Sequence, residues 1–249
     1  MTVLKPNERI DDVQLVLDNG TRLHVIQNPD GFCYGIDAVL LADFANVKSN
    51  TNVLDMCTGC GIIPLILSAK TKAEHITGIE IQPDVADMAQ RSVKMNGLDE
   101  KISIVCGDIK NFNGKSFDTV ICNPPYKEVN GGLVSQSRSQ AVARTEVCCT
   151  LSDVITAAKN ALIPNGSFYM IHRPERITDI LCGMRMVGIE PKQLRYIHPA
   201  ADKPPNLVLV RGIKGSNPKI STQKPLFVYD NTGEYTDEIV KIYSFNGKN

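Results

Sequence analysis

An alternation that begins near residue 51 constrains this chain more than any other feature. Residues 51–56 form a run suited to a buried strand, and 62–69 have helical spacing. Residues 75–81 read as a strand, 84–96 as a helix closed by Gly97, and 102–106 and 117–122 as two further strands. The order continues with a helix over 151–162 stopped by Pro164-Asn165-Gly166, a strand over 167–172, a helix over 174–187, and strands near 194–198 and 207–212. Apolar runs of five or six residues alternating with helices of ten or more predict an α/β fold, doubly wound around a mainly parallel sheet. Ligands in such sheets bind beyond the carboxyl ends of the strands. Ahead of this core, residues 13–17 and 22–26 flank Asp18-Asn19-Gly20-Thr21. Asn-Gly supplies the positive φ angles of a tight turn, so an N-terminal hairpin extension is expected over residues 10–30. The 249 residues suit one large domain, 1–249.

The first strand runs into the second helix through Asp55-Met56-Cys57-Thr58-Gly59-Cys60-Gly61. Glycines there let backbone N–H groups approach a ligand closely. A dinucleotide fingerprint needs a third glycine where this chain has Pro64, so the pattern is D-x-C-x-G-x-G. Two more carboxylates end successive strands. Glu80, followed by Ile81, is placed to accept both hydroxyls of a ribose, and Asp108, followed by Ile109, to meet an adenine edge. Singly, each is more often a solvated loop residue or a helix cap.

Cys57 and Cys60 also have the spacing of a zinc or redox pair, but no second CxxC or His-x-His follows. A cluster with Cys106 and Cys122 is conceivable from strand positions. The default for all eight cysteines is reduced thiols that pack, with no metal expected.

The fourth strand ends in Asn123-Pro124-Pro125-Tyr126. With the preceding acidic series, this tetrad resembles the class I S-adenosylmethionine-dependent methyltransferases, in the group that methylates planar amino or amide nitrogens. The resemblance implies a Rossmann-like seven-stranded sheet, S-adenosyl-L-methionine as cofactor, and cofactor contacts from Asp55, Gly59, Gly61, Glu80, Ile81, Asp108, Ile109 and Asn123. An exocyclic amine is a poor nucleophile because its lone pair is delocalised. Hydrogen bonds from that NH2 to the Asn123 side-chain oxygen and the Pro124 carbonyl would aim the lone pair at the methyl group, with Pro125 stiffening the loop. Tyr126 would stack on a flipped base, a contact of roughly 1–3 kcal/mol.

Within that group the whole chain resembles the bacterial tRNA1(Val) (adenine(37)-N6)-methyltransferase family. DGFCYGIDAVLLADF, residues 30–44, resembles that family's segment before the core, and NTGEYTDEIVKIY, residues 231–243, its C-terminal tail. The resemblance places Phe32, Tyr34, Gly35 and Asp37 near the methionine end of the cofactor. ARTE, residues 143–146, resembles the family's pattern after the tetrad, so Lys127, Arg138 and Arg144 become substrate-binding candidates in a loop over 127–150. A surface ion pair is the plainer reading of Arg144.

Other amino-group methyltransferases remain open: those acting on protein glutamine N5, ribosomal guanine N2 or DNA adenine N6. A non-catalytic cofactor-binding subunit serving an RNA is the alternative from a different class. Net charge is zero, but the two sides of Pro124 differ: residues 1–124 carry 11 Lys+Arg and 16 Asp+Glu, residues 125–249 carry 16 and 11. That asymmetry suits a polyanion meeting one side of the molecule, and a tRNA anticodon stem-loop is the expected substrate. No run of roughly 18 apolar residues exists to cross a bilayer, and the N-terminus lacks an apolar secretion region, so a cytoplasmic protein with no membrane association and no stable protein partner is expected.

Overall fold

The computed structural model describes residues 4–31, 33–114, 116–125 and 149–244. Two strands, β1 (Arg9–Val16) and β2 (Arg22–Gln27), pair antiparallel as the expected hairpin. The turn differs from expectation in one respect. Gly20 alone takes a positive φ of 85°, while Asn19 uses its side-chain oxygen to accept the Thr21 N–H at 3.0 Å. A bulge at Gln14, with φ 62°, bends β1 where its register with β2 shifts.

Helix α1 (Ile36–Phe44) leads into the core. It is followed by β3 (Asn52–Met56), α2 (Ile62–Lys70), β4 (His75–Glu80), α3 (Pro83–Met95), β5 (Ile102–Cys106) and β6 (Phe117–Cys122). The second half holds α4 (Leu151–Ala161), β7 (Leu162–His172), α5 (Ile177–Met186), β8 (Ile189–His198) and β9 (Leu207–Lys214). Two-residue strands β10 (Ser221–Thr222) and β11 (Leu226–Phe227) and helix α6 (Asp237–Tyr243) complete it. The sheet order is β10–β8–β9–β7–β6–β3–β4–β5, with β11 also on β8. Seven long strands are therefore present as expected, and the two short ones extend the β8 edge. β9 alone of the seven runs antiparallel to its neighbours, β7 and β8.

β3 pairs parallel with both β4 and β6, and the chain winds outward from it in both directions. The carboxyl ends of β3 and β6 thus flank the topological switch point, where a crevice opens between diverging connections. One hydrophobic core fills the face covered by α1, α2, α3, α6 and the hairpin. A second, under α4 and α5, fills the other. Val53 and Leu54 are fully buried, as a strand covered on both faces requires.

Several boundaries depart from the sequence reading: β1 starts at Arg9 and β8 at Ile189, each four or five residues early, and two departures change how an element begins. Pro164-Asn165-Gly166 was expected to separate helix from strand, but it lies inside β7: Leu162 already pairs with Phe117, and the register shifts before Ser167 meets Thr119. Asn165, with φ 62°, absorbs the irregularity. At the other site, residues 174–176 form a 3-10 turn, and the α-helix starts only at Ile177.

Candidate active site

The crevice is a cavity of about 650 Å³ at the carboxyl ends of β3, β4 and β6. Residues from four parts of the chain meet in its wall: Tyr34, Gly35 and Asp37 before and within α1, Cys57 and Thr58 after β3, Glu80 at the end of β4, and Asn123, Pro124 and Pro125 after β6. Positions 34 to 125, read as separate motifs, are brought to one surface.

The loop after β3 is held by backbone geometry. Cys57, Gly59 and Gly61 all have positive φ, at 59°, 58° and 81°. Gly61 is needed twice over, because a Cβ there would also lie 3.2 Å from that of Ala89 on α3. Glu80, 4% exposed, fastens the loop to β4: its carboxylate accepts the Gly59 N–H at 3.0 Å and the Gln82 N–H at 3.0 Å. Backbone donors at both oxygens fix the plane of the Glu80 carboxylate at the cavity wall.

Asp55 is fully buried one layer behind, under Thr58. The Thr58 hydroxyl donates to Asp55 Oδ2 at 2.5 Å, and Asp55 Oδ1 is buried without a hydrogen-bond partner. Burial, partly countered by the Thr58 bond and reinforced by the Glu80 charge, pushes its carboxyl up to about 8. Gly78 makes room for this pair, since a Cβ on it would sit 2.8 Å from Thr58 Oγ1. Asp55, Gly59 and Gly61 therefore support the wall, whereas Glu80 and Thr58 form part of it.

Ile81, Asp108 and Ile109 line a separate narrow crevice of about 20 Å³ that shares Cys57, Glu80 and Pro125 with the main cavity. Asp108 caps the 3-10 turn Ile109–Asn111, accepting the Lys110 N–H at 2.9 Å and pairing with the Lys110 ammonium at 3.4 Å. The plainer reading of Asp108 as a cap is thus fulfilled, on the same wall where an adenine contact was expected.

The tetrad's Asn123 donates from Nδ2 to Asp37 Oδ2 at 3.1 Å, joining α1 to the end of β6. Phe32, Tyr126, Lys127, Arg138 and Arg144, together with most of the 127–150 loop, lie outside the described residues.

The thiols do not form the CxxC pair. Cys57 and Cys60 are both free thiols, and the neighbouring Cys122 thiol is the largest effect raising the Cys57 pKa. Cys60 is buried and Cys106 exposed. Among the described residues no group of three His, Cys, Asp or Glu side chains is arranged to hold a metal.

Several residues of the cavity carried no motif. Thr58, Gln82, Met88 and Arg173 line it, and Lys5 and Glu8 reach it from the N-terminal segment. A glycine inside a strand, Gly78, was the one available signal of a close approach. Among the described residues the basic excess after Pro124 is largely engaged: Arg176 pairs with Asp179, Arg185 with Glu190 and Arg195 with Glu238, and Lys214 donates to the carbonyls of Lys159 and Leu162. Among the described residues of that set, Arg173 is the cation at the cavity, with Nη1 donating to the Asn206 carbonyl at 3.1 Å.

The site fits S-adenosyl-L-methionine on its own chemistry. The Glu80 carboxylate, held on the wall by backbone donors, supplies an acceptor for a ligand carrying ribose hydroxyls, and the orphaned Asp55 oxygen lies one layer behind it, under Thr58. Among the described residues, no helix is long and apolar enough to cross a membrane.

Residues 22–184 match the family model described as "Methyltransferase small domain". A tRNA1(Val) (adenine(37)-N6)-methyltransferase of Mannheimia succiniciproducens is 28% identical over 231 residues, covering 89% of this chain and 90% of its own. One of Haemophilus influenzae is 25% identical over 225 residues, covering 89% and 94%. Among solved structures, a predicted O-methyltransferase from Agrobacterium tumefaciens superposes with a TM-score of 0.66 at 21% identity, covering 84% of this chain and 97% of that one. A putative class I S-adenosylmethionine-dependent methyltransferase from Listeria monocytogenes gives 0.54 at 12%, covering 84% and 68%. These two show the fold. With the family model spanning well over half of its length, the chain belongs to the methyltransferase small domain family and is an S-adenosylmethionine-dependent methyltransferase.

Proposed function

We propose that this chain methylates the exocyclic N6 of adenine in RNA, with adenine 37 of the tRNA1(Val) anticodon loop as its target, and that it does so without a stable protein partner. The observation that carries the reading is Asn123-Pro124-Pro125 at the end of β6, lining a cavity that Glu80 also lines. The cofactor, when bound, supplies an electrophilic methyl group on a sulfonium. Glu80 and Thr58 on the wall would hold it, supported from behind by Asp55 and the Gly59–Gly61 loop, with Ile81, Asp108 and Ile109 flanking its base. Asn123 and the Pro124 carbonyl accept the two N–H groups of the target amine and turn its lone pair inward. Two prolines in succession limit the backbone freedom of these acceptors, so little reorganisation is needed when the amine arrives. Tyr126 closes on the target base, and Lys127, Arg138 and Arg144 meet phosphates. Single-stranded loops present unstacked bases to such a pocket, as a duplex does not. The names of the curated relatives, over about nine-tenths of both chains, support the choice of tRNA.

The test is methylation of intact tRNA by the purified chain alone, read by nucleoside mass spectrometry. N6-methyladenosine should form at a single anticodon-loop position, and Asn123→Ala should lower turnover about 10²-fold or more, in line with loss of an oriented hydrogen-bond partner, while cofactor affinity stays within about threefold. Methylation of guanine, glutamine or DNA in place of tRNA adenine would overturn the substrate assignment.

A further inference from the structure

We propose that Asp37 is the positioning residue for the Asn123 amide, and that Gly35 exists to admit its carboxylate. The inference rests on the tetrad reading above and assigns Asp37 a task different from the cofactor contact expected of it.

Asn123 offers two faces, a carbonyl oxygen that accepts and an NH2 that donates, and only the oxygen can receive an N–H of an incoming amine. A side-chain amide rotated by half a turn would present the NH2 to that amine and repel it. The structure contains a device that selects one orientation. Asp37 Oδ2 lies 3.1 Å from Asn123 Nδ2. A carboxylate has no proton to donate, so the amide nitrogen must face it, and Oδ1 is then turned to the other side. The partner is itself fixed: Asp37 Oδ1 accepts the N–H of Ala38 at 3.0 Å, in the first turn of α1, where the helix favours negative charge.

Gly35 completes the device. Its φ of −112° and ψ of 178° are extended backbone that any residue adopts, so conformational freedom does not explain the glycine. Space does: a Cβ at Gly35 would stand 2.7 Å from Asp37 Oδ1. The segment entering α1 therefore aims the tetrad, 86 residues away in sequence. Docking of that segment and assembly of the catalytic amide become one event.

The experiment compares wild type, Asp37→Asn, Gly35→Ala, Asn123→Ala and the double variant Asp37→Asn/Asn123→Ala. Asparagine at position 37 offers a donor as well as an acceptor, so it no longer selects the amide orientation. Expected are a kcat at least tenfold lower for Asp37→Asn and Gly35→Ala, with the KM for tRNA and the Kd for S-adenosylmethionine within threefold of wild type. In the Asn123→Ala background, Asp37→Asn should change kcat less than twofold. A Kd for the cofactor weakened tenfold or more in Asp37→Asn, equal kcat losses in both backgrounds, or wild-type kcat in Asp37→Asn would each overturn the proposal.

A second readout needs no substrate. In the ligand-free protein the Asn123 side-chain amide protons, identified by their absence in Asn123→Ala, should exchange with solvent slowly in wild type and at least tenfold faster in Asp37→Ala. Unchanged exchange overturns the contact itself. Slow exchange with no adenine methylation by wild type would instead locate the failure in the substrate assignment.

Discussion

Asn96, at the end of α3, and His24, on β2, exchange two hydrogen bonds through a single side chain. The His24 N–H donates to Asn96 Oδ1 at 2.9 Å, and Asn96 Nδ2 donates to the His24 carbonyl at 2.7 Å. One turn earlier the Ser92 hydroxyl oxygen accepts the N–H of Ile26 at 2.9 Å. The outer edge of the hairpin is thereby closed by side chains of a helix rather than by another strand, which removes an open edge. Asn96→Leu leaves both His24 backbone groups without their Asn96 partners in a half-buried position. Stability should fall by about 2–4 kcal/mol, from two unmet groups at about 1–2 each. Urea unfolding measures this, and hydrogen exchange should localise the loss to β2. A change below about 0.5 kcal/mol would show that the contact contributes nothing to docking.

Gly78 and Thr58 form a matched pair across β4 and the loop after β3. A methyl group on Gly78 would meet Thr58 Oγ1 at 2.8 Å and Ile104 Cδ1 at 2.9 Å. Ile104 can yield by rotating, but Thr58 is tied to Asp55 at 2.5 Å and cannot move without releasing it. Gly78→Ala should therefore cost about 1–3 kcal/mol of overpacking and weaken cofactor binding. In Thr58→Ala the obstruction is gone, so the two substitutions together should cost less than their sum. Strict additivity in a double-mutant cycle would refute the pairing.

Glu80 supports the same loop electrostatically. Its two oxygens accept the N–H groups of Gly59 and Gln82, so Glu80→Gln must place an NH2 against one of those donors. A buried donor facing a donor costs about 1–3 kcal/mol. The variant should bind cofactor at least tenfold more weakly and have a lower Tm without cofactor. Calorimetric titration and thermal unfolding of the same sample separate the two effects. Wild-type affinity in a folded Glu80→Gln would remove Glu80 from the cofactor site.

The sheet and the switch point were legible because they rest on local periodicity. Val53, Leu54, Ile76 and Ile79 read as buried strand residues from composition alone, and β3 to β6 were located within about one residue. The carboxylates at their ends followed from topology. What sequence could not show depends on contacts between distant positions. Asp37 and Asn123 carry no spacing that predicts their meeting, and Thr58 looks like any loop residue until Gly78 is seen beneath it. Asp55 was legible as a strand-end carboxylate, but its place behind the cavity wall was not, because depth is set by the packing of Thr58 over it. β10 and β11, two residues each, are too short to have a period.

Two buried titratable groups make the pH dependence of stability a sharp test of this arrangement. Asp55 is pushed up to about 8, chiefly by burial. Folding therefore takes up a proton at Asp55 between its unfolded value near 4 and about pH 8, and this contribution falls as pH rises through that window. His172, at the end of β7, is pushed down to about 4, first by burial and then by the Arg176 charge. Folding there releases a proton between about pH 4 and its unfolded value near 6.5, so its contribution rises with pH over that range. The two slopes, each at most about 1.4 kcal/mol per pH unit, oppose one another below pH 6.5. Above it Asp55 acts uncompensated, and from pH 6.5 to 8 it should remove up to about 2 kcal/mol. Asp55→Asn should lose that decline, and its advantage over wild type should grow with pH across the interval. His172→Gln should leave the alkaline side unchanged and gain relative to wild type only as pH falls below 6.5. Urea unfolding at pH 5, 6.5 and 8 provides the comparison. Parallel curves for wild type and Asp55→Asn would mean that Asp55 is ionised within the folded protein throughout, and that its orphaned oxygen is solvated.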